Sequence, residues 1–203
     1  VGYSNTSTEQ TFQRAFVRTT GFATSGQSVI PFTYRVILAP GQGGNTTGGN
    51  VEYRGSFWDL GPRRASIESD ALRLLGGLEG SHFGWDWKSG LGYSETKTVN
   101  GFQNLISQSG LDAAIAANTY NFDKPSTNTQ AVRDSIRVNG ANVGKSTMTA
   151  FDVKASREWF NMAGGPVGVA VGLDFRHETM KITPDARIVA NDVLGRGQTS
   201  VDG

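Results

Sequence analysis

Six carboxylic acids in the middle of the chain have the chemistry that glycoside hydrolysis uses, in which one carboxyl group donates a proton and a second acts as base or nucleophile. They are Glu68, Asp70, Glu79, Asp86, Asp152 and Glu158. Nothing in their spacing selects one pair with the fixed separation that the reaction needs, so solvated carboxylates on a polar surface explain them better. We therefore predict no catalytic residue and no enzymatic activity.

The patterns for metal and phosphate binding are also weak. His82 and His177 have no second histidine and no cysteine at the spacing of a metal site. The glycine-rich segment 39–49 lacks the Lys-Ser/Thr pair and the following helix of a phosphate-binding loop. We predict no metal and no cofactor, and the net charge of +1 gives no field that favours nucleic acid.

Arginine side chains offer a different chemistry, because a guanidinium group can bind the oxygens of a carboxylate or phosphate through two parallel hydrogen bonds. Arg63 and Arg64 follow directly on Gly61-Pro62, where proline interrupts regular strand pairing. They could hold an anionic ligand, or they could form ion pairs with Glu68 or Asp70, and both interpretations stay open. The candidate ligand contacts are Arg63, Arg64, Arg73, Asp152, Lys154 and Arg176.

The elements that must position these residues are β-strands, since apolar and polar residues alternate with period two. In segment 165–178 one face carries bulky apolar side chains, and the other begins with glycine and alanine and ends with charges. The apolar face consists of Val167, Val169, Val171, Leu173 and Phe175. Segments 85–94 and 149–155 alternate in the same way.

Short turn-like segments at 80–84 and 161–166 join these strands into hairpins. Together with residues 1–16 and a strand-like tract over 51–80, interrupted at Gly61-Pro62, they give about five antiparallel strands. The predicted fold class is therefore all-β.

Long connections are expected over 17–50, 99–145 and 183–203. The middle one is far longer than an ordinary loop, and two capping-box patterns predict short helices inside it. Ser109 precedes Asp112 by three residues, and Thr127 precedes Gln130 by three.

The tight turns and the long connections lie at opposite ends of the predicted hairpins, and large aromatic residues flank both tight turns. These aromatics are Phe83, Trp85, Trp87, Trp159 and Phe160. Transmembrane β-barrels combine short periplasmic turns, long extracellular loops and an aromatic girdle at the interface. The pattern thus favours a transmembrane barrel over a soluble sandwich, with the apolar strand faces toward lipid and the charged faces toward a lumen.

Several short motifs resemble the barrel of TonB-dependent outer-membrane receptors. They are Gly61-Pro62-Arg63, Gly77-Leu78-Glu79-Gly80, Trp85-Asp86-Trp87, Gly92-Tyr93-Ser94 and Gly172-Leu173-Asp174-Phe175-Arg176, and they lie within residues 51–182. The resemblance implies a barrel of about 22 strands filled by an N-terminal plug. It also implies uptake of a scarce nutrient, such as a siderophore, cobalamin or oligosaccharide, coupled to the TonB complex of the inner membrane.

On this resemblance residues 1–203 are expected to be an internal fragment of one barrel domain without its plug, with 17–50, 99–145 and 183–203 as extracellular loops. The expected location is the outer membrane of a Gram-negative bacterium. The expected partners are membrane lipid and lipopolysaccharide, whose phosphates Arg63 and Arg64 could also bind, a small-molecule nutrient, and TonB through a region outside this chain. The candidate ligand contacts would then lie in the lumen or at its rim. A passive porin or a soluble β-rich binding protein remains the alternative.

Overall fold

The structure is a computed structural model that describes residues 1–15, 20–25, 28–197 and 201–202. Strands account for 60% of the chain and helices for 14%, so the all-β prediction is confirmed, and the main sheet is antiparallel. Among the described residues, no helix combines the length and the hydropathy needed to cross a bilayer.

The described strands are β1 (Gly2–Thr11), β2 (Thr20–Ser25), β3 (Ser28–Thr33), β4 (Val36–Leu38), β5 (Val51–Tyr53), β6 (Arg64–His82), β7 (Trp85–Ile106), β8 (Arg137–Met162), β9 (Gly165–Thr183) and β10 (Val201–Asp202). The α-helices are α1 (Gln108–Ala116), α2 (Gln130–Ile136) and α3 (Ala186–Val189). Short 3-10 turns lie at Trp58–Leu60 and Pro125–Thr127.

Six strands form one open antiparallel sheet in the order β1-β6-β7-β8-β9-β10, and β2-β3 and β4-β5 form two separate hairpins. The predicted tight turn between β6 and β7 contains two residues, Phe83 and Gly84, with φ angles of 50° and 76°. Positive φ at both positions is the type I′ geometry that matches the twist of the flanking strands. The second predicted turn, between β8 and β9, contains Ala163 and Gly164.

The tract over 51–80 is not one interrupted strand as predicted. Val51–Tyr53 pairs with β4 in a separate hairpin, and the sheet strand β6 begins only at Arg64. Between them Phe57 and Leu60 are buried, and Gly61 has a φ of 84°. Burial of two apolar residues away from the sheet, followed by a left-handed glycine and a proline, separates the two strands.

The long connection predicted over 99–145 is shorter in the structure, because β7 continues to Ile106 and β8 begins at Arg137. Residues 107–136 form the actual connection. The added strand segments have apolar residues, such as Phe102 and Val138, scattered among glycine and polar residues on both faces. They therefore carry no period-two hydrophobic signal, yet Val99 pairs with Val143 and Asn100 with Asn142. The predicted loop 17–50 likewise contains strands, and its residues 17–19 and 26–27, like 198–200 and 203, lie outside the described residues.

Both predicted helices are present, but α1 begins two residues earlier than expected and α2 begins two residues later. The N-cap of α1 is Ser107, whose Oγ accepts from the Gly110 amide at 2.9 Å, and the N-cap of α2 is Thr129. Ser109 instead lies in the first turn of α1, where its amide donates to Asp192 at 2.8 Å. Asp192, 83 residues away in sequence, therefore accepts from one of the amides in the first turn of α1 that have no partner within the helix.

The buried core lies beyond the strand ends that are opposite the tight turns, in a unit that we call the cap and define as residues 34–60, 107–136 and 184–197. Its main hydrophobic cluster also includes Ala15 and Ile106, which lie outside these ranges. The other members are Tyr34, Val36, Leu38, Phe57, Leu60, Leu111, Ala114, Tyr120, Phe122, Ile136 and Leu194. A second cluster joins the cap to the strand ends and contains Phe102, Leu105, Val138, Ile188 and Val193.

Candidate functional site

One face of the sheet carries a continuous apolar surface, which we call the belt. Cross-strand partners share a face, and the register aligns Leu91, Phe151 and Phe175 directly across β7, β8 and β9. The apolar members of the belt are Leu74, Leu78, Trp85, Trp87, Leu91, Tyr93, Phe151, Val153, Ala155, Val167, Val169, Val171, Leu173 and Phe175. Leu78 and Leu173 are 71% and 62% exposed, so the described chain leaves the belt largely uncovered.

The belt is limited in height. Along β9 it runs from Val167 to Phe175, which is about 27 Å at roughly 3.4 Å per residue. At a strand tilt of about 40°, this length projects to about 20 Å, close to the apolar band of about 25 Å in outer-membrane barrels.

Aromatic and charged residues mark the two limits of the belt. At the tight-turn end the Arg157 guanidinium lies 5.5 Å from the ring centroid of Trp85 and 5.8 Å from that of Trp159, which is the extra residue of a bulge in β8. At the other end one charged row crosses four strands in register: Asp70, Lys97, Lys145 and Lys181. Lys145 also pairs with Glu95 at 3.0 Å.

The opposite face of the same strands is small and charged. Its small residues near the tight turns are Gly77, Gly90, Gly92, Ala150, Gly168, Ala170 and Gly172. Lys88 pairs with Glu79 at 2.9 Å, and both side chains are more than two-thirds exposed. Asp152 lies directly opposite Asp174, so this face places two carboxylates side by side where only contact with water or another polar surface stabilises them.

Four of the six candidate ligand contacts lie on this polar face, but they occupy successive rows and do not converge. Arg73 lies opposite Ser94, Lys154 opposite Gly172, and Asp152 opposite Asp174. Arg176 lies opposite Ala150, and its guanidinium is 3.7 Å from Glu178. These four residues line the face without forming a closed site.

The other two candidates, Arg63 and Arg64, are held differently from the ion pairs considered for them. Arg63 donates from Nε to the carbonyl oxygen of Gln13 at 2.9 Å, and Arg64 lies 3.5 Å from Glu9 across the β1–β6 pair. The structure shows neither of the ion pairs that the sequence left open, and Asp70 instead accepts from Tyr3 and Asn5 of β1. Glu68 and Asp70 lie four and six residues further along the same strand, too far for a side chain at position 64.

Arg63 and Arg64 instead meet Arg196 of the cap at a cleft of about 240 Å³. The rest of the cleft lining is mostly apolar: Phe12, Ala65, Leu105, Leu194 and Gly195. The Arg196 guanidinium lies 5.2 Å from the centroid of the Phe102 ring. Burial, and secondarily the positive charge of Arg63, lower the pKa of Arg196. No motif in the sequence points to Arg196, which lies 132 residues after Arg64.

The cap is organised around a polar network as well as its core. Tyr120 donates from its hydroxyl to Oδ1 of Asp59 at 2.6 Å, and Asn128 donates from Nδ2 to Oδ2 of the same carboxylate at 3.0 Å. Burial, followed by the hydrogen bond to Asp59, raises the pKa of Tyr120. These partners are 61 and 69 residues apart in sequence, and no local motif connects them.

The glycine-rich loop 39–49 packs into this cap. Gly43 has a φ of 57°, its amide donates to Oδ1 of Asn118 at 2.7 Å, and its carbonyl accepts from Phe122. A Cβ on Gly43 would lie 2.6 Å from the Phe122 ring, so only glycine allows this close approach of the backbone.

A second, open groove of about 710 Å³ lies on the cap. Its lining residues are Phe22, Ala23, Gln108, Ser109, Asp112, Ala186, Arg187, Ala190, Asn191 and Asp192. Asp112 accepts from the Tyr34 hydroxyl at 2.5 Å, and Asp192 accepts from Ser107 and Ser109, so both carboxylates are already committed to structural hydrogen bonds.

Neither histidine lies in a group of ligands. His82 packs against the ring of Phe83 beside the tight turn, and His177 lies opposite Thr149 on β8. Within the described residues, no three His, Cys, Asp or Glu side chains are gathered as a metal site would require. Comparisons with protein-family models, with curated proteins and with solved structures gave no match.

Proposed function

We propose that this chain forms part of the wall and the extracellular vestibule of a TonB-dependent outer-membrane receptor that takes up a scarce nutrient. The belt is the observation that carries the proposal. A sheet in water buries its apolar face against another layer, whereas here the apolar face is the exposed one, and the packed core lies elsewhere, in the cap. Lipid is a solvent in which such a face is stable.

The borders and the reverse face of the sheet support the same proposal. Aromatic side chains with an accompanying arginine at one limit, and a row of lysines at the other, are the residue types that lie at membrane interfaces. The small and charged reverse face fits a polar lumen with a close-packed filling. In the described chain the sheet is open at both edges, so the proposal requires further strands to close it.

The cap supports the receptor over the alternatives. A soluble binding protein would have to cover the belt, and no described segment does so. A passive porin shares the belt, and the cap is the feature that favours the receptor, because a packed, hydrogen-bonded unit with clefts at the strand ends gives a ligand fixed contacts. The class of nutrient — siderophore, cobalamin or oligosaccharide — depends on such contacts.

Tryptophan quenching in the full-length protein tests the membrane part of the proposal. Versions that retain only Trp87 or only Trp58, with the remaining tryptophans of this chain changed to phenylalanine, are reconstituted in vesicles with brominated acyl chains. Trp87 lies in the belt and Trp58 in the cap, so bromine should quench the first and spare the second. Equal quenching of the two would refute the assignment of the belt to lipid.

Cysteine labelling tests the orientation, since the chain contains no cysteine. Ser126 is exposed in the cap and Ala163 is exposed in the tight turn between β8 and β9. In whole cells a membrane-impermeant thiol reagent should label Ser126→Cys, and should label Ala163→Cys only after the outer membrane is permeabilised. The opposite result would invert the topology.

Transport energetics separate the receptor from the porin. Whole cells are assayed for uptake of a ferric siderophore, cobalamin and an oligosaccharide, before and after a protonophore collapses the proton gradient. A receptor should lose concentrative uptake of one of them, whereas a porin would keep its passive flux. Undiminished flux after the gradient is lost would establish the porin.

A further inference from the structure

We infer that the cleft between Arg63, Arg64 and Arg196 is a binding site for a phosphate-bearing anion. Three guanidinium groups from two regions of the chain line this cleft of about 240 Å³, at the junction of β1, β6 and the cap. This site is separate from the polar face of the sheet opposite the belt. On that face the other four candidate ligand contacts occupy separate rows.

The charge of the cleft is largely unneutralised. Of the three arginines, Arg64 alone has an acidic neighbour among the described side chains, Glu9, at 3.5 Å between two exposed side chains. Such exposed pairs contribute little. Among the side chains that the structure describes, no carboxylate oxygen comes within 4.0 Å of the guanidinium nitrogens of Arg63 or Arg196. Arg196 is also partly buried, and Arg63 is close enough to lower its pKa.

The folded chain holds these like charges in place through unrelated contacts. The Arg63 carbonyl accepts from the Phe12 amide at 2.8 Å, and its guanidinium donates to Gln13. Arg196 follows Gly195, whose φ is 80°, and its guanidinium lies against Phe102. The arginines are therefore oriented before any ligand arrives, which reduces the entropy cost of binding.

The chemistry of the lining selects the ligand. Guanidinium groups match phosphate oxygens with paired, charge-assisted hydrogen bonds. Phe12, Leu105 and Leu194 add an apolar wall, which accommodates a carbon skeleton beside the phosphate. A lipid headgroup and a soluble phosphorylated compound share this chemistry.

The test uses the purified full-length protein in a nonionic detergent, with calorimetric titration of pyrophosphate. The double variant Arg63→Gln/Arg196→Gln should bind at least tenfold more weakly, since the loss of even one charged hydrogen bond costs about a factor of ten. The matched control is Arg54→Gln, because Arg54 is already paired with Glu52 at 2.8 Å outside the cleft. In a second titration, nanodiscs containing lipid A replace pyrophosphate. Binding of the nanodiscs without binding of pyrophosphate would identify a lipid headgroup as the ligand.

A chemical measurement on the protein without substitutions tests the same site, and it does not depend on whether a variant folds. Phenylglyoxal modifies accessible guanidinium groups, and pyrophosphate or lipid A should slow its reaction at Arg63 and Arg196 but not at Arg54. Unchanged binding in the double variant in both titrations, or no protection at Arg63 and Arg196 by either ligand, overturns the proposal. These measurements do not depend on transport. A negative result would therefore overturn the anion site without affecting the receptor proposal, and a failure of the receptor proposal would not affect the anion site.

Discussion

The cap and the sheet differ in where their apolar side chains lie: the cap buries them in a core, and the sheet exposes them on one face. In the cap, Phe57, Leu111 and Ile136 are at most 1% exposed, and aromatic rings pack edge to face within one cluster. In the sheet, Val171 and Leu173 are more than half exposed, although β9 is long and pairs with β8 along its length. The cap therefore has the organisation of a protein in water. The exposed apolar face of the sheet is the feature on which the proposed contact with lipid rests.

The largest expected difference between the two regions comes from truncating one phenylalanine in each. Phe57→Ala should destabilise the cap by about 3–5 kcal/mol, because it removes a fully buried ring and leaves a cavity. Phe151→Ala in the belt should cost much less, because Phe151 is 39% exposed and lipid can fill the space. Amide hydrogen exchange in the cap and in β8 measures both effects. A larger loss from Phe151→Ala would remove the contrast.

A pair of arginine substitutions on adjacent residues of β9 tests the two faces of the sheet. In the reconstituted full-length protein, Val171→Arg should destabilise the folded state by about 2–4 kcal/mol, because it places a charge in lipid. Ala170→Arg, on the opposite face, should cost far less, because that face lines the proposed polar lumen. The free energy of unfolding in a urea titration in lipid checks this, and equal costs would contradict the assignment of the faces.

The polar network of the cap should respond to loss of a single hydroxyl. Tyr120→Phe leaves the partly buried Asp59 without one of its donors, and a cost of about 1–3 kcal/mol is expected. Tyr34→Phe is the matched control, since its partner Asp112 is exposed to water and should lose less. Thermal denaturation of the cap, followed by tyrosine fluorescence, compares them, and a larger effect of Tyr34→Phe would count against a central role for Asp59.

The smallest effect is expected at high pH. Because the pKa of Tyr120 is raised above its ordinary value of 10.0 in the folded cap, the unfolded chain loses the phenolic proton first. The stabilisation is therefore complete below about pH 10 and is lost as the pH rises above it. Hydrogen-exchange protection of the cap should fall in this range while that of the sheet persists, and Tyr120→Phe should flatten the dependence. A cap with pH-independent protection would exclude this linkage.

The sequence predicted the sheet strands whose two faces differ, but it missed the non-alternating segments that extend β7 and β8. Segment 165–178 alternates sharply, and β9 has the predicted faces. Residues 99–106 and 137–145 do not alternate, and their strand structure follows from pairing with each other, which no single segment can reveal. The same limit applies to the helix caps, where Asp192 reached Ser109 from a distant loop.

The candidate ligand contacts also differ in how far the sequence could predict their positions. Residues on one strand, such as Asp152 and Lys154, could be placed on their face from the sequence, because side-chain direction in a strand follows from parity alone. The partners of Arg63 and Arg64 could not, since Gln13, Glu9 and Arg196 are set by the pairing of β1 with β6 and by the position of the cap.

By itself, the sequence determined that this chain is built from long antiparallel strands, where its tight turns lie and which residues form the belt. These properties are local, because period-two alternation and turn residues act over a few positions. Only the tertiary structure decided that the glycine-rich loop, the two helices and the segment after β9 fold into one cap, and that three arginines meet at its base. The reason is physical: a cap of short, irregular segments is stabilised by contacts between residues far apart in the chain, and those contacts exist only once the strands have brought the segments together.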